Sequence, residues 1–221
     1  MSALKLITTE DGSHSIYNEE LNEHYHSTHG AVQESRHVFI EAGLNEVCKT
    51  KNEIKILEVG FGTGLNCLLT CAEAIRMDLA IHYTSLEPFP LTAEMIASLN
   101  YAESLGHTEL FLMMHSNAQG RIAVSNKFIL YRQKESLLSF VPMEKYELIY
   151  FDAFAPGVQP ELWSEEVFQK MFDCLLPGGI LVTYCAQGQV KRNMKKAGFS
   201  IERLPGPPGK REMTRASNPL M

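Results

Sequence analysis

Short apolar runs recur along this chain, each followed by a polar or glycine-rich break and then a helical pattern. Ile54, Ile56, Leu57 and Val59 form the first strong run, and three glycines at alternate positions, Gly60, Gly62 and Gly64, follow it. Residues 65–77 then read as a helix and residues 80–86 as a second strand. The same reading puts strands at 127–131, 147–151, 180–185 and 199–204, with one more after Met213. Between them come helices at 90–105, where Leu91, Met95 and Leu99 share a face, at 136–140, and from the N-cap Ser164 to Leu175. A basic helix at 187–197 ends at Gly198, and Pro177-Gly-Gly179 turns into the fifth strand. Strands alternating with helices predict an α/β domain on an open, mostly parallel sheet.

Residues 1–53 precede this alternation and read as an accessory region, with 54–221 as the main domain. Residues 4–8 and 15–17 pair as a hairpin about Asp11-Gly12, and a helix over 31–42 is stopped by Gly43. Tyr25, His26 and Ser27 are placed to act as a lid, and Gln33, Glu34 and Arg36 open the helix. Residues 106–126 show no clean period and read as an irregular helical insertion.

At 221 residues and 45% hydrophobic content the chain can bury a full core, which excludes wholesale disorder. No apolar run reaches the roughly 20 residues of a membrane span. Lys5 is soon followed by Glu10 and Asp11, unlike a signal peptide, and five cysteines without framework spacing fit reduced thiols in the cytoplasm. His24, His26 and His29 lack a completing cysteine or carboxylate, so no metal is expected. The net charge of −6 is uneven: between Ala186 and Arg215 eight basic residues meet two acidic ones, a local +6, leaving −12 elsewhere. That end can meet a polyanion, or it is a solvated helix face with a basic loop.

The chemistry-bearing residues cluster at strand ends. A strand running into a glycine turn and a helix N-terminus lets backbone approach a nucleotide-like ligand. A dinucleotide fingerprint needs its third glycine at position 65, which is Leu65. With Glu58 before it, Glu58-Val-Gly-Phe-Gly-Thr-Gly64 instead resembles the first motif of class I S-adenosylmethionine (SAM) methyltransferases. Glu87 closes the second strand, where a carboxylate can accept from both ribose hydroxyls of a nucleoside. Asp152 follows the fourth strand and faces the ligand crevice if the first and fourth strands are neighbours. With the backbone carbonyls of Asp152 to Ala155 it suits an amine acceptor. Phe154 is a candidate wall for a base, and Trp163 either closes the pocket or packs under the next helix. Lys191 and Arg192 on the basic helix, with Lys210 and Arg211 in a Gly/Pro-rich loop, are candidates for phosphate contact.

Beyond these single sites, several segments taken in order resemble one family. They are Asp11-Gly-Ser13, Tyr25-His-Ser27 through Glu34, residues 57–66, 152–163 and 177–192, and Gly206 to Met213. Together they resemble the methyltransferase component of the bacterial enzyme that completes 5-methylaminomethyl-2-thiouridine at the tRNA wobble position. The resemblance implies a class I, Rossmann-like fold with a mostly parallel seven-stranded sheet whose last strand is antiparallel. It implies SAM as cofactor, held by Glu58, Gly60, Gly62, Gly64 and Glu87, and acceptor handling by Asp152. It further implies N-methylation of 5-aminomethyluridine in tRNA, the aminomethyl group coming from a separate enzyme because this chain has no room for the fused oxidase. The family often carries Gly-Asp after the third strand, and Arg132-Gln133 departs from that. Methylation of a small amine or polyamine, or SAM and RNA binding without turnover, are the alternatives.

Overall fold

The computed structural model describes residues 4–220, so residues 1–3 of the accessory region and Met221 lie outside it. Its centre is an eight-stranded sheet in the order β10-β11-β9-β8-β4-β5-β7-β6. These strands are β4 (Glu53–Val59), β5 (Ala80–Leu86), β6 (Gly120–Ala123), β7 (Phe128–Gln133), β8 (Tyr146–Phe151), β9 (Leu175–Thr183), β10 (Ser200–Pro205) and β11 (Glu212–Ser217). β9, β8, β4, β5 and β7 pair in parallel, whereas β11 runs antiparallel to both β9 and β10. The expected seven strands are therefore present, and β6 adds an eighth, antiparallel to β7 at the sheet edge.

Two apolar layers cover the sheet. Ile54, Ile56, Tyr83 and Tyr150 face one layer, packed by residues 31–47 and the helix Leu65–Met77. Leu57, Val59, Ile149 and Phe151 face the other, with the helices Glu165–Cys174 and Gly188–Lys196. The period-2 alternation of β4 thus divides it between two cores, as a strand covered on both sides requires. Ser164 caps its helix as expected, its Oγ accepting from the Val167 N–H.

The accessory region is a three-stranded antiparallel sheet of β1 (Leu4–Thr8), β2 (His14–Asn18) and β3 (Glu23–His24). Gly12, at φ 81°, makes the turn that Asp11-Gly12 announced. Asn100 docks this sheet onto the main domain, accepting from the His14 N–H and donating to the Gly12 carbonyl.

Five local expectations need correction. The helix starting at Ala31 runs through Gly43 to Val47, with π-helical turns over Arg36–Leu44. Gly43 is a packing glycine, because a Cβ there would come within 3.1 Å of Tyr150 and Val182. The single helix expected over 90–105 is two, Ala93–Ser98 and Tyr101–Ser104, broken where Leu99 is extended and Asn100 turns to the hairpin. Residues 106–126 hold the regular helix Thr108–Met114 as well as β6. Residues 136–140 form a turn, not a helix. Pro177-Gly-Gly179 lies within β9, where the register against β8 shifts.

Candidate functional site

The glycine turn joins β4 to the helix Leu65–Met77 with Gly60, Gly62 and Gly64 at φ 89°, 50° and 77°. These left-handed values favour glycine, and close approach adds a second reason at Gly60. A Cβ there would sit 2.6 Å from the Asp152 carbonyl oxygen. The Gly60 N–H donates to Leu86 O and the Asp152 N–H to Val59 O, so the ends of β4, β5 and β8 are tied together. Glu87 Oε2 accepts from the Gly62 N–H at 2.9 Å and its Oε1 from the Phe89 N–H at 2.9 Å. Both oxygens keep lone pairs for a further donor. A cavity of about 900 Å³ opens at these strand ends, with Gly60, Gly62, Glu87, Asp152 and Phe154 in its wall.

Past β5 and β7 the cavity wall includes Pro88, Phe89, Glu135 and Leu137. Past β8, Asp152 accepts from Asn66 Nδ2 at 2.8 Å. Burial, aided by the negative charge of Glu34, pushes the Asp152 carboxyl up to about 7, against the opposing effects of Asn66 and Lys210. Glu34 is itself buried and accepts from the Ser27 N–H at 2.8 Å, while its other oxygen pairs with Lys210 Nζ. The same ammonium lies 4.0 Å from the centre of the Tyr184 ring, and the Tyr184 hydroxyl donates to Ala153 O. Tyr25 packs edge-on against Phe154, ring centres 5.1 Å apart, and lies within reach of Gly62. His26 lines the cavity with its Nε2 2.8 Å from Thr63 Oγ1, and burial lowers its pKa to about 4.

The structure gathers Gly60, Gly62, Glu87, Asp152, Phe154 and Lys210 at one cavity and separates the other candidates from it. Gly64 shapes the turn from behind, against His115 and Phe61. Glu58 does not line the cavity: it shares the face of Ile54 and Ile56, is fully buried, and accepts from Ser85 Oγ at 2.7 Å. Burial raises its carboxyl to about 8, against the effect of that hydrogen bond. Trp163 takes the second of its two expected places, packed under the helix Glu165–Cys174. It is buried against Phe151 and Phe168, and its Nε1 supports the cavity wall from behind by donating to Phe154 O.

The basic candidates also divide. Lys191 pairs with Glu212 and Lys210 turns inward, whereas Arg192, held by Gln189, and Arg211 remain exposed. Arg132 is buried with its guanidinium 4.0 Å from the Phe61 ring centre, donating to the carbonyls of Met114 and Asn117. The carboxylate near that strand in the cavity wall is Glu135. Sequence alone does not mark Glu34 and Tyr184 as site residues. Tyr184 follows β9 and obeys the same strand-end rule as Glu87 and Asp152, while Glu34 arrives through a tertiary contact with Lys210. Among the described residues no group of three or more His, Cys, Asp or Glu side chains is placed to hold a metal.

Comparison with known proteins agrees with this fold. A family model described as S-adenosyl-L-methionine-dependent methyltransferase matches residues 114–219. A crystal structure of MnmC2 from Aquifex aeolicus superposes with a TM-score of 0.83 at 24% identity, covering 100% of this chain and 73% of that one. Spermidine synthase from Thermotoga maritima shares the fold at a TM-score of 0.59 and 14% identity, covering 98% of this chain and 73% of its own. The chain has the class I, Rossmann-like fold of these structures, and its C-terminal part matches the SAM-dependent methyltransferase model. In sequence it is similar to the tRNA 5-methylaminomethyl-2-thiouridine biosynthesis bifunctional protein MnmC. It is 30% identical to that of Campylobacter hominis over 207 residues, 91% of this chain and 31% of that protein. To that of Cupriavidus necator it is 32% identical over 217 residues, 91% of this chain and 32% of that protein. The chain therefore spans about a third of the length of these curated relatives.

Proposed function

We propose that this chain methylates the primary amine of 5-aminomethyl-(2-thio)uridine at the tRNA wobble position, with SAM as methyl donor. The observation that carries the reading is one cavity lined by the glycine turn after β4, by Glu87 after β5 and by Asp152 after β8, with β4 between the other two strands. The named activity of the bifunctional relatives supports the choice of acceptor. The residues present fit SAM. The positive-φ glycines leave backbone open where side chains would intrude, and Glu87 offers free lone pairs where ribose hydroxyls would come. Phe89 and Leu137 provide apolar surface, and Glu135 an acceptor, for the adenine.

Bound SAM supplies a methyl group made electrophilic by its sulfonium. The protein's own contribution is alignment and proton management. Asp152, fixed by Asn66, accepts an N–H of the acceptor amine and directs its lone pair. With its carboxyl raised to about 7, Asp152 is matched to receive the proton the amine must lose near neutral pH. Tyr25 and Phe154 pack edge-on in the cavity wall, Tyr25 against Gly62 of the turn.

Residues up to 53 act as an accessory lid in this reading, since Tyr25, His26, Ser27 and Glu34 line the same cavity as the 54–221 domain. Exposed Arg192 and Arg211 are left to meet tRNA phosphates. A separate enzyme supplies the aminomethyl group, and a tRNA acceptor makes the cytoplasm the place of action. The carboxylate-lined wall suits a small free amine too, so the test includes one. Labelled SAM is offered with tRNA lacking the terminal methyl and, separately, with polyamines. Label in tRNA 5-methylaminomethyl-type uridine supports the proposal, and label only in free amine replaces it with the small-amine reading.

A further inference from the structure

We propose that Glu34 and Tyr184 form, with Asp152, a subsite for the acceptor's primary alkylamine, and that the Lys210 side chain occupies it until the acceptor displaces it. This rests on the amine-methylation reading and adds the residues that select the amine. Lys210 presents a primary ammonium on an unbranched alkyl stem, the same chemical group as an aminomethyl acceptor in its protonated form. It is paired with the Glu34 carboxylate and lies 4.0 Å from the Tyr184 ring centre. A carboxylate and an aromatic face are the two partners that recognise an alkylammonium. Glu34, Tyr184, Lys210 and Asp152 all line one cavity, so this ammonium sits in the compartment that must admit the acceptor.

The two partners are built in, whereas the occupant is free to leave. Glu34 is fixed by the Ser27 N–H and its side chain is only 8% exposed. Tyr184 is anchored through its hydroxyl to Ala153 O. The loop bearing Lys210 is held tightly, with Gly206 N donating to Arg211 O and Lys210 N to Pro207 O. It also packs so closely on His29 that a Cβ at Gly209 would fall 2.0 Å from that ring. The Lys210 side chain itself remains 33% exposed and can swing into solvent. Exchanging one alkylammonium for another leaves the charge in the cavity unchanged, so Glu34 keeps a cation through the exchange.

The consequence is selection of primary amines and reversible self-occupancy. In the transfer step the bound ammonium first gives one proton to Asp152, and the neutral amine's lone pair then forms the N–C bond while the C–S bond breaks with its electron pair going to sulfur. The product is a secondary ammonium, and Asp152 returns its proton to water.

The test is chemical rescue. Lys210→Ala removes the atoms of n-propylamine, so n-propylammonium is the probe, with tetramethylammonium at equal ionic strength as control. In thermal shift with S-adenosylhomocysteine present, n-propylammonium stabilises Lys210→Ala at concentrations at least about tenfold below those acting on the wild type, because its competitor is gone. Tetramethylammonium does not stabilise it, and adding Glu34→Gln abolishes the response. With labelled SAM, the Lys210→Ala protein also transfers label to n-propylamine. A Lys210→Ser variant replaces alanine if that substitution impairs folding. No amine-dependent stabilisation of a folded variant overturns the proposal. Stabilisation without label in the amine, from a wild type that does methylate tRNA, overturns it as an acceptor subsite. A wild type that labels neither tRNA nor amine refutes the methylation reading instead, and with it the acceptor role, whatever the thermal shift shows.

Discussion

Glu58→Gln isolates the effect of a carboxyl buried beneath the glycine turn. Glu58 is fully buried, and removal from water raises its pKa from an ordinary 4.5 to about 8, although Ser85 donates to it. A folded-state pKa above the unfolded one means that the folded protein binds the proton more tightly. The favourable contribution is then complete below the unfolded value and is lost as pH rises toward the folded one. Each pH unit between the two values costs about 1.4 kcal/mol, so the full interval amounts to as much as ~5 kcal/mol. Glutamine keeps the shape and an acceptor for Ser85 but cannot ionise. Its amide also brings a donor into a region where Asn66 Oδ1 and Glu58 Oε1 are both buried without a hydrogen-bond partner. Urea unfolding of both proteins from about pH 5 to about pH 9 measures the effect, other titrations cancelling in the difference. The variant's advantage is expected to grow by ~1.4 kcal/mol per pH unit and to level off above about pH 8. A difference that does not change with pH, or a wild type that gains on the variant as pH rises, refutes the reasoning. SAM affinity should change little, because Glu58 does not line the cavity.

Other outcomes follow from the same geometry. Asp152→Asn should remove an inflection near pH 7 from the kcat/KM profile, the wild type rising with pH as the carboxyl ionises; an unchanged inflection assigns it to another group. Gly60→Ala should lower stability by ~1–3 kcal/mol and weaken SAM binding in calorimetry, because its φ of 89° and the Asp152 carbonyl at 2.6 Å both exclude a Cβ. Phe154→Ala should raise KM for acceptor with little loss of stability. Trp163→Ala should instead cost ~3–5 kcal/mol in unfolding, since Trp163 lies in the core behind the wall.

Much of this fold is legible in the chain. The glycine turn, the helix at Leu65–Met77 and the strand at Ala80–Leu86 stand where period and turn chemistry put them. Asp11-Gly12 likewise announces its hairpin, because each of these features is decided by neighbours in sequence. The strand-end positions of Glu87 and Asp152 follow from topology once the parallel order is inferred. Glu58 shows a signal available but unused: alternation places it on the face of Ile54 and Ile56, away from the crevice. What sequence does not carry is the long-range contact. Glu34 and Lys210 meet across more than half the chain. Arg132 is buried because carbonyls of a separate insertion and the Phe61 ring receive it. Trp163 is settled as a core residue only when Phe151 and Phe168 close around it.

The central claim is methyl transfer to a tRNA amine, and its most direct measurement is label from SAM in tRNA lacking the terminal methyl, followed by nucleoside analysis. The account predicts label in 5-methylaminomethyl-type uridine at the wobble position. Intact SAM binding with no label in that nucleoside would contradict it.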